Sequence, residues 1–330
     1  MELIKDFSIL DFEDFSEDKN WDILITCGSF EERCTRFPYL LSLSNASIDQ
    51  TIVFNYLEED KNNKKRNNIN AINSNLSKIS RKNLVFNSGS VSKPSEGIKE
   101  FLKFLKQNSI ELNNKKIVVD ICTFTKPYLF VLFKVLKEIF QLKRVDIVYT
   151  EPRYYKNKDE RSDEIVMTEG LDRIQSIPGF RGSPLEAQNV LIVILGFEGK
   201  RSLEVFEEIE PNITFAINGF PSYKAGWNQI SLNENIKFLD SSGAHEHLFF
   251  APANNPFETR NLIDSIINEI SETKNKNIII APLGSKMQAF GVLLFALNFK
   301  NISVVYPFPS SYKTDRSDGA DKTWIFRTSL

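Results

Sequence analysis

Two stretches of this chain follow one plan, and that plan leaves few folds open. Residues 116–156 read KIVVDICTFTKPYLFVLFKVLKEIFQLKRVDIVYTEPRYYK, and residues 277–313 read NIIIAPLGSKMQAFGVLLFALNFKNISVVYPFPSSYK. Each is a short apolar run, a turn with Thr or Ser before Lys, a long apolar run, a second short run and then Tyr-x-x-Pro-x-x-Tyr-Lys. Tyr149, Pro152, Tyr155 and Lys156 stand opposite Tyr306, Pro309, Tyr312 and Lys313 without a gap. The short runs between turn residues read as buried strands and the long runs as buried helices. Strand, helix and strand in that order imply a parallel pair joined by a right-handed crossover.

The correspondence extends upstream. DILITCGSFEERC (22–34) resembles VLIVILGFEGKRS (190–202), and TIVFNYLEED (51–60) resembles TFAINGFPSY (214–223). LVFNSGSVSKPSEGIKEFLKFL (84–105) resembles LFFAPANNPFETRNLIDSIINEI (248–270). The segments keep one order, which predicts two copies of one domain. In the first copy, strands are expected near 22–27, 51–56, 83–87, 116–121 and 144–149, with helices near 31–44, 64–79, 94–107 and 126–141. In the second, strands are expected near 190–195, 213–217, 247–251, 276–281 and 302–306, with helices near 200–209, 226–235, 256–271 and 286–298.

The fold class is therefore α/β, with two tandem Rossmann-like parallel-sheet units from an internal duplication. Residues 1–156 form the first copy, 157–187 a linker ending in the loop IPGFRGSP, and 188–330 the second copy with a tail whose TWIFRT reads as a strand. A helix outside a parallel sheet should show a polar stripe. YLFVLFKVLKEIF and MQAFGVLLFALNF scarcely do, so the copies are expected to pack through them as an intramolecular pseudo-dimer.

Charge narrows the partners: 41 basic against 43 acidic residues leave no footprint for duplex nucleic acid. No apolar run reaches membrane-span length, and MELIKDFSIL lacks the pattern of a signal peptide. Cys27, Cys34 and Cys122 have no metal-ligand spacing and no even pairing, which points to a reducing, cytoplasmic setting. His245 and His247 alternate across an expected strand start, without the further ligands a zinc site needs.

Ligands of open parallel sheets bind beyond the carboxyl ends of the strands. After the first strand come Gly28, Ser29, Glu31 and Arg33, and in the second copy Gly196, Glu198 and Arg201. After the fourth come Asp120, Thr123, Thr125 and Lys126, then Gly284, Ser285 and Lys286. After the fifth come Tyr149 and Glu151, then Tyr306. The Lys turns open helices whose free amides favour an anion, with Lys126 and Lys286 adding charge. Neither has the spacing of a Walker loop. Each also has a plainer reading, in which Thr125 or Ser285 caps its helix and the Lys is solvated. Glu31 with Arg33, and Glu198 with Arg201, either shape their turns or face a ligand. Asp120 and Glu151 have no carboxylate counterparts in the second copy. With Glu31 they could bind ribose hydroxyls, do acid–base work or, under the catalytic reading alone, hold a divalent metal.

The turns carry a resemblance to a family. APLGSKMQAFG resembles the fourth-strand motif of CARF domains, the CRISPR-associated Rossmann folds, and DICTFTKPYLF a variant without the glycine. GSFEERC and GFEGKRS occupy the place of that family's other ligand loop. CARF units work as pairs that bind cyclic oligonucleotides across a dyad, and the SAVED domains of related antiphage systems look like two such units in one chain. The resemblance implies a sensor of a nucleotide or other phosphorylated small molecule, a part in prokaryotic antiviral defence, and an effector protein as partner. Its other implication, drawn from ring nucleases, is a nucleotide hydrolase or phosphodiesterase with its active site in the first copy.

Overall fold

The computed structural model describes residues 8–12, 15, 19–58, 60, 62–155, 168–182, 187–270, 276–313 and 317–330. In chain order the elements are β1 (Ser8–Asp11), β2 (Asn20–Gly28), α1 (Arg36–Ser42), β3 (Ser47–Tyr56), α2 (Lys64–Leu76), β4 (Ser80–Ser88), α3 (Pro94–Gln107), β5 (Ile117–Asp120), α4 (Lys126–Glu138) and β6 (Arg144–Tyr155). Then come β7 (Thr168–Glu169), β8 (Arg173–Ser176), β9 (Gln188–Ile194), α5 (Gly199–Ile209), β10 (Ile213–Gly219), α6 (Trp227–Glu234) and α7 (Ile236–Ser242). The chain ends with β11 (Leu248–Ala251), α8 (Pro256–Ile270), β12 (Lys276–Pro282), α9 (Lys286–Ala296), β13 (Ile302–Phe308), β14 (Ser311–Tyr312) and β15 (Ser317–Ser329).

Two compact units result: Met1–Lys156 with Thr314–Leu330, and Asn157–Lys313. The first sheet has the order β1-β15-β6-β5-β2-β3-β4, and the second β11-β10-β9-β12-β13-β8. From β6 to β4, and from β11 to β13, every pairing is parallel. Both units are thus Rossmann-type α/β sheets, and the strand order reverses between β2 and β5 and between β9 and β12. That shared order is common to many doubly wound sheets, so duplication remains a reading of the sequence motifs.

Burial follows the strand pattern. All four residues of β5 are buried, as expected where helices cover both faces of a parallel sheet. On α3, Ile98, Phe101 and Leu105 form the buried stripe, at the helical spacing that faces a core. α9 has no polar stripe, since every residue from Met287 to Ala296 is buried. Gly291 lets α8 approach closely, because a β-carbon there would run into the Pro256 carbonyl. Among the described residues no helix is long and apolar enough to cross a membrane.

Several expectations change. The helix near 31–44 starts as a 3₁₀ turn over Glu32–Thr35, and α1 begins only at Arg36. Pro38 has no amide to donate, so the α-helix starts where Pro38 falls within its first turn. His245 and His247 lie in a 3₁₀ turn, Ala244–His247, and the strand begins after them at Leu248. A second helix, α7, follows the expected one near 226–235.

The boundaries at 157–187 and 188–330 also need correction. Part of the supposed linker is β7 and β8, with Ile177 and Phe180 buried. The Ile177 N–H donates to the Val304 carbonyl at 2.7 Å, so this stretch completes the edge of β13. The tail leaves the second copy altogether: β15 pairs antiparallel with β6 and β1 in the first sheet, burying Ile325 and Phe326. Lys156 and residues 157–167 and 183–186 lie outside the described residues.

Candidate functional site

The turn residues after the first strand of each unit hold added strands in place. Arg33 is buried; its Nε donates to Glu31 Oε2 at 2.8 Å, and Nη1 donates to the Thr150 carbonyl at 3.0 Å and to Tyr149 Oη at 3.3 Å. The Ser317 hydroxyl, on β15, donates to the same Glu31 oxygen. In the second unit Arg201 Nη2 donates to Thr168 Oγ1 at 3.0 Å and to the Gly170 carbonyl at 2.5 Å, and Nη1 donates to Glu204 at 2.9 Å. Glu198 Oε1 accepts from the Thr168 N–H at 3.0 Å and from its hydroxyl at 2.6 Å. The Glu and Arg of each first turn are thus engaged with their own unit.

Tyr149 and Tyr306 stand beside these pairs. Burial pushes the Tyr306 and Tyr155 phenols up to about 12, and burial raises Tyr149 further still. A folded pKa above the unfolded value of about 10 means that the stability these phenols contribute is intact below pH ~10. It is lost as pH rises through about 12. Titration of the intact chain should show the buried phenolate absorbance appearing together with loss of near-ultraviolet circular dichroism in that window. Ionisation of every tyrosine near pH ~10 with the fold retained would contradict it.

The carboxylates expected to act are likewise engaged. Asp120 accepts from the Thr26 hydroxyl at 3.1 Å and from the Cys122 N–H at 3.0 Å, which ties β5 to β2. Glu151 accepts from Trp324 Nε1 at 2.6 Å, which ties β6 to β15. Among the described residues no group of three or more His, Cys, Asp or Glu could hold a metal ion.

The two Lys turns differ sharply. At the N-terminus of α9 the Ser285 hydroxyl accepts from the Gln288 N–H at 3.0 Å, while Gln288 Oε1 accepts from the Ser285 N–H at 3.1 Å. This capping box occupies the turn with its own side chains, and Ser285 also donates to the Ala253 carbonyl at 2.5 Å. The glycines serve close packing: a β-carbon on Gly284 would lie 2.7 Å from Gln288 Oε1, and one on Gly196 would strike the Leu283 carbonyl. The Gly196 carbonyl accepts from Asn235 Nδ2 at 2.7 Å, so the α6–α7 corner covers this turn. Lys286 is half-buried.

At the N-terminus of α4, Thr125 makes no capping bond, and its Oγ1 is buried without a hydrogen-bond partner. Tyr56, 5% exposed at the end of β3, has an equally unpartnered phenol oxygen. Burial drives this phenol well above its ordinary range, with Cys27 and Tyr128 adding to the shift. The Thr125 amide and hydroxyl face the phenol and pull it part-way back, without reaching hydrogen-bond geometry. Half-buried Lys126 opens the helix. The buried Lys65 ammonium donates to the Tyr56 carbonyl at 2.6 Å and to the Glu58 carbonyl at 3.2 Å.

The neighbouring loops are braced. Thr123 Oγ1 donates to the Cys27 carbonyl at 2.6 Å, and Asn68 Nδ2 donates to the Ser29 carbonyl at 2.8 Å. Gly28 admits α2, since a β-carbon there would meet Ile69. Buried polar groups are nearly always hydrogen-bonded, so two unpartnered hydroxyls beside an uncapped helix start mark this edge of the first sheet.

Tyr56 and Lys65 were absent from the residues expected from the sequence. The readable signal for Tyr56 was its place, the last residue of TIVFNY at a strand end. No protein-family model matches the chain, and no curated protein matches it. Among solved structures, one similar chain is described as an N-terminal ketoreductase from a macrolactin assembly line. It is 10% identical, with 90% of this chain and 72% of that one covered and a TM-score of 0.24. Likeness at that level carries no argument, and the Rossmann-type assignment rests on the strand order.

Proposed function

We propose that the first unit binds a phosphorylated small ligand, of the nucleotide class, at the N-terminus of α4. The observation that carries this reading is the pair of buried, unpartnered hydroxyls of Tyr56 and Thr125 beside an uncapped helix start. Phosphate oxygens would accept from both hydroxyls and from first-turn amides, where the helix dipole favours negative charge. Lys126 and Lys65 add positive charge to the same edge. The CARF-like motifs extend the reading to a nucleotide sensor in antiviral defence that passes its signal to an effector protein. A catalytic role finds less support, because Asp120 and Glu151 already accept hydrogen bonds that join strands.

Calorimetric titration of the whole chain with mono-, di- and cyclic nucleotides tests the proposal. Lys126→Ala and Thr125→Val are each expected to weaken binding about tenfold, the equivalent of one charged or well-placed hydrogen bond. Thr125→Val should leave the melting temperature unchanged or higher, since no hydrogen bond is lost. Ser285→Ala should do the reverse, losing ~1 kcal/mol of stability with its cap while keeping affinity. Absence of heat with every nucleotide, or wild-type affinity in Thr125→Val, would sink the reading.

A further inference from the structure

We infer that Arg260 is the recognition group of a second anion site, in the unit that holds α8, and that its ligand is a small oxyanion of the phosphate type. The inference stands apart from the site at α4. Arg260 lies on the buried stripe of α8 with Phe257, Ile263 and Ile266, and is 6% exposed. Its Nε is sealed from solvent with no hydrogen-bond partner. Among the described residues the guanidinium makes no hydrogen bond or ion pair. Asp264 stands at the i,i+4 spacing that suits such a pair, yet does not take it.

The contrast with the other buried cations is direct. Arg33 and Arg201 each reach a carboxylate and a backbone carbonyl, and Lys65 reaches two carbonyls. Arginine does not shed its proton in proteins. Only Nε is sealed and unpartnered, but a largely buried charge without a partner is still unfavourable, and an anion that pairs with it recovers part of that energy. The planar guanidinium presents adjacent N–H donors that match two oxygens of one oxyanion. At 6% exposure Arg260 lies out of reach of a broad macromolecular surface.

The test uses the whole chain carrying Lys126→Ala, so that the α4 site is weakened beforehand and failure of either proposal is distinguishable. Inorganic phosphate, at ionic strength matched with chloride, should raise its melting temperature saturably. Adding Arg260→Met should remove that response and raise the phosphate-free melting temperature by about 3 °C or more, because an apolar side chain of similar length replaces an unpaired charge. Arg260→Lys keeps the charge without the fork, and should weaken phosphate binding about tenfold or more. A lower melting temperature or failure to fold in Arg260→Met would show that the arginine has a structural partner and overturn the inference. So would an unchanged phosphate response in either variant, or no response in the parent.

Discussion

Arg33→Met is expected to destabilise the first unit by about 3 kcal/mol, at the lower end for breaking a buried ion pair. Arg33 and Glu31 have side chains 5% and 25% exposed, so the carboxylate left behind is only partly rescued by water. Ser317 still donates to Glu31, which keeps the effect from being larger. The Tyr149 hydroxyl and the Thr150 carbonyl lose a donor as well. Urea unfolding followed by circular dichroism should show the lower midpoint, and the double variant Glu31→Gln with Arg33→Met should recover part of the loss. An unfolding free energy within about 0.5 kcal/mol of the parent would mean that Arg33 does not brace the turn. The opposite outcomes expected for Arg33→Met and Arg260→Met make the pair informative, since Arg33 has a carboxylate and carbonyl partner and Arg260 Nε has none.

Phe54→Ala should cost about 3–5 kcal/mol, the range for emptying a buried aromatic site. Phe54 is fully buried on β3, and its ring centre lies 4.9 Å from Phe86, 4.8 Å from Phe101 and 5.0 Å from Phe124. These rings join two strands, α3 and the turn that leads into α4. Phe124 immediately precedes Thr125, and Phe54 lies two residues before Tyr56. The cavity would therefore loosen the backbone on both sides of the proposed ligand. Nucleotide binding should weaken with the stability, whereas Phe54→Leu should cost less than about 1.5 kcal/mol and keep binding. Equal midpoints for Phe54→Ala and the parent would exclude this ring cluster as the support of the site.

Much of the candidate site was legible because strand ends are legible. Thr125, Lys126 and Asp120 could be placed at the end of the fourth strand from an apolar run and the turn after it. The state of each turn was harder to read. Ser285 is followed three residues later by Gln288, the spacing of a capping box, whereas Thr125 is followed by Tyr128. That difference is present in the letters, although both Lys turns share the hydroxyl-then-Lys pattern that suits an anion. Gly284 instead serves close packing, since a β-carbon there would meet the Gln288 and Ile194 side chains and the Leu195 carbonyl. Arg260 was a similar signal, a charge at a position where the helical period calls for an apolar residue.

The sequence by itself determined the alternation of strands and helices in both units, because apolar periodicity and turn chemistry act over a few residues. It also placed Thr and Lys at the start of α4. Only the tertiary structure decided that the last thirteen-residue strand joins the first sheet, since pairing with β6 depends on residues more than 160 positions away. Tertiary structure likewise decided which polar groups are spent. Whether Glu31, Arg33 or Asp120 is free for a ligand depends on distant partners such as Ser317, Thr150 and Thr26. Hydrogen bonds are satisfied in space rather than along the chain, so the unpartnered Tyr56, Thr125 and Arg260 emerge only once every neighbour is in place.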